Sequence, residues 1–148
     1  MANFYSSGYQ KAYIDVPSQK INPGEQSGDS KVMYAEITGT AEFTTNDTIY
    51  LGKLPKGARV LGGRIICPAT GATGIFNIGY QANGVDSADL DAYVVGADPG
   101  AAAVSAIITG AGLGKKLGAE STIVLTPTEN STSFTGDLLQ FWLDYVVI

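Results

Sequence analysis

Fourteen carboxylates, nine lysines and arginines, eight tyrosines and one cysteine are the side chains with which this chain could do chemistry, and it has no histidine. Histidine is the commonest general base and metal ligand near neutral pH. Its absence excludes Ser-His-Asp triads, Cys-His pairs, HExxH zinc sites and facial triads, and most hydrolase mechanisms with them. Cys67 has no second thiol to pair with, and Arg64-Ile65-Ile66-Cys67-Pro68 reads as a strand end carrying a buried small apolar residue. Asp86, Asp89, Asp91 and Asp98 lie close in sequence, but their spacing lacks the glycine and distal glutamate of a calcium loop and fits solvated turn and cap positions. A glycosidase needs two carboxyls facing one another across an aromatic-lined cleft, and no pair is marked out for that. The run Gly110-Ala111-Gly112-Leu113-Gly114-Lys115-Lys116 invites a phosphate-loop reading, yet the required flanking Gly and Ser/Thr positions hold Thr109 and Lys116. A flexible glycine loop describes it better. The chain is therefore expected to be no enzyme and to hold no metal or cofactor.

Contact chemistry remains. Lys53, Lys56, Arg59 and Arg64 concentrate basic charge in one short stretch, and on a hairpin they would form a patch that the acidic stretch 86–98 of a neighbouring copy could face. Phe4, Tyr5, Tyr9 and Tyr13 punctuate an otherwise polar N-terminal segment. Such rings bury large area with few rotatable bonds, so they are the best candidates for an intermolecular anchor. A net charge of −5 argues against nucleic acid, whose phosphates need a basic footprint. The start of the chain has neither a basic n-region nor an apolar h-region, and no stretch is apolar enough for a membrane helix. The expectation is a protein made in a cytoplasm, without membrane attachment. Asn46-Asp47-Thr48 and Asn130-Ser131-Thr132 match a glycosylation acceptor but read here as turns.

The elements that must position these residues are strands. Nineteen glycines among 148 residues is about twice ordinary usage, with no three-residue period, which means many turns. Residues 1–30 are poor in aliphatic side chains and read as an extended aromatic arm followed by a Pro/Gly/Ser linker. Residues 31–148 read as one antiparallel β-sandwich or jelly roll of six to eight strands. Strands are expected at 32–43, 48–53, 58–67, 73–81, 122–126 and 137–147, with the fourth alternating most clearly and the last central. In that last strand Leu139, Phe141, Leu143, Tyr145 and Val147 share one side. The segment 87–95 has the signature of a short helix, with Ser87 as cap and Asp89 and Asp91 in the first turn. A Gly/Ala-rich excursion at 97–119 reads as mobile, with at most one turn of helix.

The stretch Asn46-Asp47-Thr48-Ile49-Tyr50-Leu51-Gly52-Lys53-Leu54-Pro55-Lys56-Gly57-Ala58-Arg59-Val60-Leu61-Gly62-Gly63-Arg64-Ile65-Ile66 resembles a segment common in small virion structural proteins of tailed bacteriophages. Phe134-Thr135-Gly136-Asp137-Leu138, leading into Tyr145-Val146-Val147, is similar to their closing strand. The resemblance runs from Asp47 to the end and leaves out the arm. It implies a small β-sandwich on the capsid surface of a virion, most like a capsid decoration (cement) protein. As a homodimer or homotrimer, such a protein braces neighbouring subunits of the major capsid protein. It brings no catalytic motif. A neck or tail adaptor, or a head-fibre domain for host attachment, is the alternative.

Overall fold

Eight strands carry the fold in the computed structural model, which describes residues 29–38, 44–67, 75–97, 104–108, 110–128 and 138–147. They are β1 (Lys31–Thr38), β2 (Ile49–Leu54), β3 (Ala58–Cys67), β4 (Phe76–Tyr80), β5 (Asp89–Ala97), β6 (Val104–Ile107), β7 (Ser121–Pro127) and β8 (Leu138–Val147). The first sheet has the order β1-β8-β3-β6 and the second β2-β7-β4-β5, with every pairing antiparallel. The chain crosses between sheets at most connections, and the two four-stranded orders are those of a jelly roll. No helix occurs among the described residues.

Alternation places the core between the sheets. From the second sheet, Leu54, Phe76, Ile78, Tyr80, Ile123 and Leu125 point inward, and from the first, Val60, Ile65, Phe141 and Leu143 meet them. Phe76, Ile78 and Tyr80 form the buried side of β4, because a period of two assigns alternate residues to one face. On β8 the inward set runs through Phe141 and Leu143, while Val147, last in the strand, is 38% exposed. β8 is interior to its sheet, between β1 and β3, as its apolar content implies.

Gly62 and Gly63 do not interrupt β3. They accommodate a bulge, with Val60 opposite Tyr145 and Gly62 opposite Asp144, so that Leu61 is the extra residue and stands 55% exposed. Gly63 has φ 154°, and a Cβ there would lie 2.1 Å from the Trp142 carbonyl oxygen.

Two expectations are overturned. The segment 87–95 contains no helix; β5 occupies most of it and pairs with β4. The turn before it is organised by Asn83, whose side-chain oxygen accepts the Val85 and Asp86 N–H groups, and the run Tyr93-Val94-Val95 favours a strand. Nor do the described residues of the 97–119 excursion, 104–108 and 110–119, form a mobile loop. β6 extends the first sheet along β3, and 110–118 is tied down by backbone hydrogen bonds from Gly110 to Tyr93, Gly112 to Ala92, Gly114 to Val60 and Leu117 to Ala58. Its glycines serve close approach: a Cβ on Gly110 would lie 2.2 Å from the Ala92 oxygen. The aromatic arm residues Phe4, Tyr5, Tyr9 and Tyr13 lie outside the described residues.

Candidate interaction surface on the first sheet

The residues of the first sheet that do not enter the core face outward in three rows. β1 and β3 flank β8, so register sets Val32, Asp144 and Gly62 side by side, then Tyr34, Trp142 and Arg64, then Glu36, Gln140 and Ile66. Val32 and Tyr34 are 56% and 46% exposed, among several large hydrophobic side chains that the strands leave in solvent. Between β8 and β3 the rows enclose an open cavity of about 340 Å³, lined by Val32, Gly63, Arg64, Ile66, Trp142 and Asp144.

One side of this surface is ordered by hydrogen bonds. The Tyr34 hydroxyl donates to Glu36 Oε2 at 2.8 Å and accepts from Gln140 Nε2 at 2.9 Å. Its ring tilts against Trp142 at 53°, with centroids 5.1 Å apart, a geometry favoured by aromatic quadrupoles. The Glu36 carboxylate, by accepting the phenol proton, raises the Tyr34 pKa above its ordinary value. The Arg64 and Asp144 side chains line the same cavity, yet among the described residues neither side chain has an ion-pair or hydrogen-bond partner. Alternation along β8 puts Gln140, Trp142 and Asp144 on its outward side, opposite Phe141 and Leu143. What makes it a site is its register against Tyr34 and Arg64.

The basic residues singled out from sequence are divided between the sheets. Lys53, on β2, pairs with Glu120 at 3.1 Å, both side chains well exposed. Lys56 is exposed in the turn between β2 and β3. Arg59 reaches the 110–118 loop, donating from Nη1 to the Gly114 carbonyl at 3.0 Å, while its Nε is buried without a partner among the described residues. Arg64 alone of the four lines the outer cavity.

The acidic stretch does internal work. Asp86 accepts from Asn83 Nδ2 at 2.9 Å and from the Gly118 N–H at 2.8 Å, and these two bonds hold its carboxyl below the usual range. The same Asn83 amide donates to the buried Ser121 hydroxyl at 2.7 Å, which ties the turn before β5 to the start of β7. Asp89 is shifted upward, first by burial and then by the neighbouring Asp91 carboxyl. Lys115 hydrogen-bonds the Tyr80 hydroxyl and lies 5.1 Å from that ring's centroid, and the hydrogen bond raises its pKa. Burial does the same to Tyr93, whose ring is 6.0 Å from that of Tyr80. Among the described residues no three His, Cys, Asp or Glu side chains are grouped to hold a metal ion. The N–H groups of Gly110, Gly112, Leu113, Gly114 and Lys115 in the glycine loop are committed to the chain's own carbonyls and so are not offered to a phosphate.

No protein-family model matches the chain. No curated protein matches it. Its fold does match solved structures. A chain of the Cyanophage Pam1 capsid asymmetric unit superposes with a TM-score of 0.68 at 20% identity, over 93% of this chain and 99% of that one. A chain of the capsid of Ralstonia phage GP4 gives 0.65 at 20% identity, over 82% and 86%. A chain of the acidic stable capsid structure of Helicobacter pylori bacteriophage KHP30 gives 0.53 at 15% identity, over 80% and 92%. At such identities the likeness is one of fold: this chain is built as a jelly roll like those found in three bacteriophage capsids.

Proposed function

We propose that the chain is a structural protein of a tailed-phage virion that decorates the capsid and stabilises it by bridging major capsid subunits, acting as a homodimer or homotrimer. The observation that carries this reading is the likeness to a chain in the Pam1 capsid, which extends over nearly the whole of both chains. A matched domain inside a larger protein would carry less weight. The absence of histidine and the internal use of Asp86 and the glycine loop both fit a protein that works by contact. In this reading Phe4, Tyr5, Tyr9 and Tyr13 anchor the arm on a neighbouring subunit, and Lys53, Lys56, Arg59 and Arg64 contribute charge at the joint. A durable joint buries at least about 1,000 Å², which an arm and a sheet edge together can supply.

Co-sedimentation with empty heads of the phage that carries the protein tests the proposal. Saturable binding at high copy number by the full chain is expected, together with a weakening of at least about tenfold, or 1.4 kcal/mol, when residues 2–16 are deleted. Full-occupancy binding by the truncated protein would remove the arm from the account. Failure of the full chain to bind heads, with binding to a portal or tail assembly instead, would remove the decoration role.

A further inference from the structure

We propose that the cavity between β8 and β3 on the outer face of the first sheet is a saccharide site, which takes one neutral hexose unit of a surface polysaccharide. The argument begins from unspent chemistry. The Arg64 side chain offers only donors and the Asp144 side chain only acceptors, both line the cavity, and neither side chain has a partner among the described residues. Opposite charges so placed cancel over the cavity, so a ligand of strong charge gains little there. A ligand presenting donors and acceptors together satisfies both.

The remaining lining is apolar. Val32, Ile66 and the Trp142 ring meet one side of a bound molecule, and Gly63 adds backbone to the β3 wall. A pyranose has this division in its own structure, with apolar C–H faces and an equatorial belt of hydroxyls. A volume of about 340 Å³ is at the low end for small-molecule sites, roughly 300–1,000 Å³, and suits one ring of a longer chain better than a large cofactor. The open side lets the polymer continue past the site.

The platform is also held before anything binds. Glu36 and Gln140 fix the Tyr34 hydroxyl, and the Tyr34 ring packs against Trp142. Immobilising side chains in advance removes part of the ordering cost of binding. Tyr34 is thus a positioning residue, and Trp142, Arg64 and Asp144 are the contacts. None of this depends on the capsid role, since the cavity belongs to the isolated domain.

Trp142 is the only tryptophan of the chain, so its emission reports on this site alone. The test is a fluorescence titration of the full-length protein with neutral oligosaccharides of glucose, galactose, mannose and N-acetylglucosamine. A saturable change with at least one of them is expected. Arg64→Ala and Asp144→Asn should each weaken that binding at least tenfold, Tyr34→Phe should weaken it less, and Tyr50→Phe, exposed on the other sheet, should leave it unchanged. Circular dichroism checks that each variant is folded, and the near-isosteric Asp144→Asn keeps the test sound if Arg64→Ala is not. No response to any neutral sugar would overturn the proposal, as would binding indifferent to both Arg64→Ala and Asp144→Asn. If emission ignores sugars but shifts when the protein binds empty heads, the cavity is a protein joint, which refutes the saccharide site while leaving the capsid role intact.

Discussion

Replacing Gly110 with alanine should destabilise the protein by about 3 kcal/mol, and the sign of the effect matters more than its size. The new Cβ would stand 2.2 Å from the Ala92 oxygen, 2.5 Å from the Ala92 carbonyl carbon and 2.6 Å from that of Tyr93, all backbone atoms that no rotamer change can move aside. The loop must retreat. Retreat loosens two hydrogen bonds, Gly110 N–H to Tyr93 at 2.8 Å and Gly112 N–H to Ala92 at 2.7 Å, each worth about 1 kcal/mol net. It also disturbs packing over the buried Ala92, and overfilling a packed site costs about 1–3 kcal/mol. For a chain of this size each kcal/mol moves Tm by about 2–4 °C, so the expected fall is about 6–12 °C. A mobile loop would respond the other way, because alanine restricts the unfolded chain and stabilises by about 0.4–1 kcal/mol where the native backbone tolerates it. Calorimetry or a thermal melt by circular dichroism, with urea titration to confirm an unchanged m-value, measures the difference. Gly114→Ala is the companion: it has open space around it but φ +76°, so only the left-handed backbone is penalised, by about 1 kcal/mol. A Tm for Gly110→Ala equal to or above that of the parent would refute the pinned loop.

Asp86→Asn and Asp89→Asn should act in opposite directions. The lowered pKa of Asp86 contributes stability above the ordinary carboxylate range that is lost as pH falls through the folded value, so Asp86→Asn lowers Tm at neutral pH and the deficit shrinks on acidification. Asp89 has a raised pKa, so stability is lost as pH rises from the ordinary carboxylate range through the folded value. Asp89→Asn should raise Tm at neutral pH, with the gain vanishing below the ordinary carboxylate range. Melts across that range read both. Lys53→Ala should change stability by less than about 0.5 kcal/mol, because its ion pair with Glu120 is exposed at both ends, at 64% and 63%. A larger loss in a denaturant titration would mean that the pair is coupled to something more.

What could be read from the sequence was local. β3 has the bounds expected of it because Lys56-Gly57 must turn and Ala58 starts an apolar run, and β4 shows its buried side because Phe76, Ile78 and Tyr80 alternate within five residues. The misreadings arose where one residue type serves two physical roles. Aspartates near a serine suit the first turn of a helix and equally a turn closed by Asn83, and only the β4 partner decides between them. Glycine serves both freedom and close contact. The contact that distinguishes them for Gly110 is with Ala92, which is distant along the chain and adjacent only after β5 and the loop have met.

The outer face of the first sheet shows the same limit more sharply. Tyr34 and Gln140 are 106 positions apart and hydrogen-bonded, and Trp142 gains neighbours on both sides only because β8 runs between β1 and β3. In a two-sheet fold the inward half of each strand is committed to the core, so new function must be written on the outward half. There, hydrophobic patterning records that a position is exposed but not what stands beside it. The β3 bulge adds a further step that no periodicity predicts: it shifts the register between Val60 and Gly62, sets Gly62 opposite Asp144, and leaves a position without a side chain in the row that borders the cavity. A side chain at Gly62 would meet nothing within 4 Å. The fold therefore has room for a larger residue there, and the smallest one, placed beside the Asp144 carboxylate, keeps that room open.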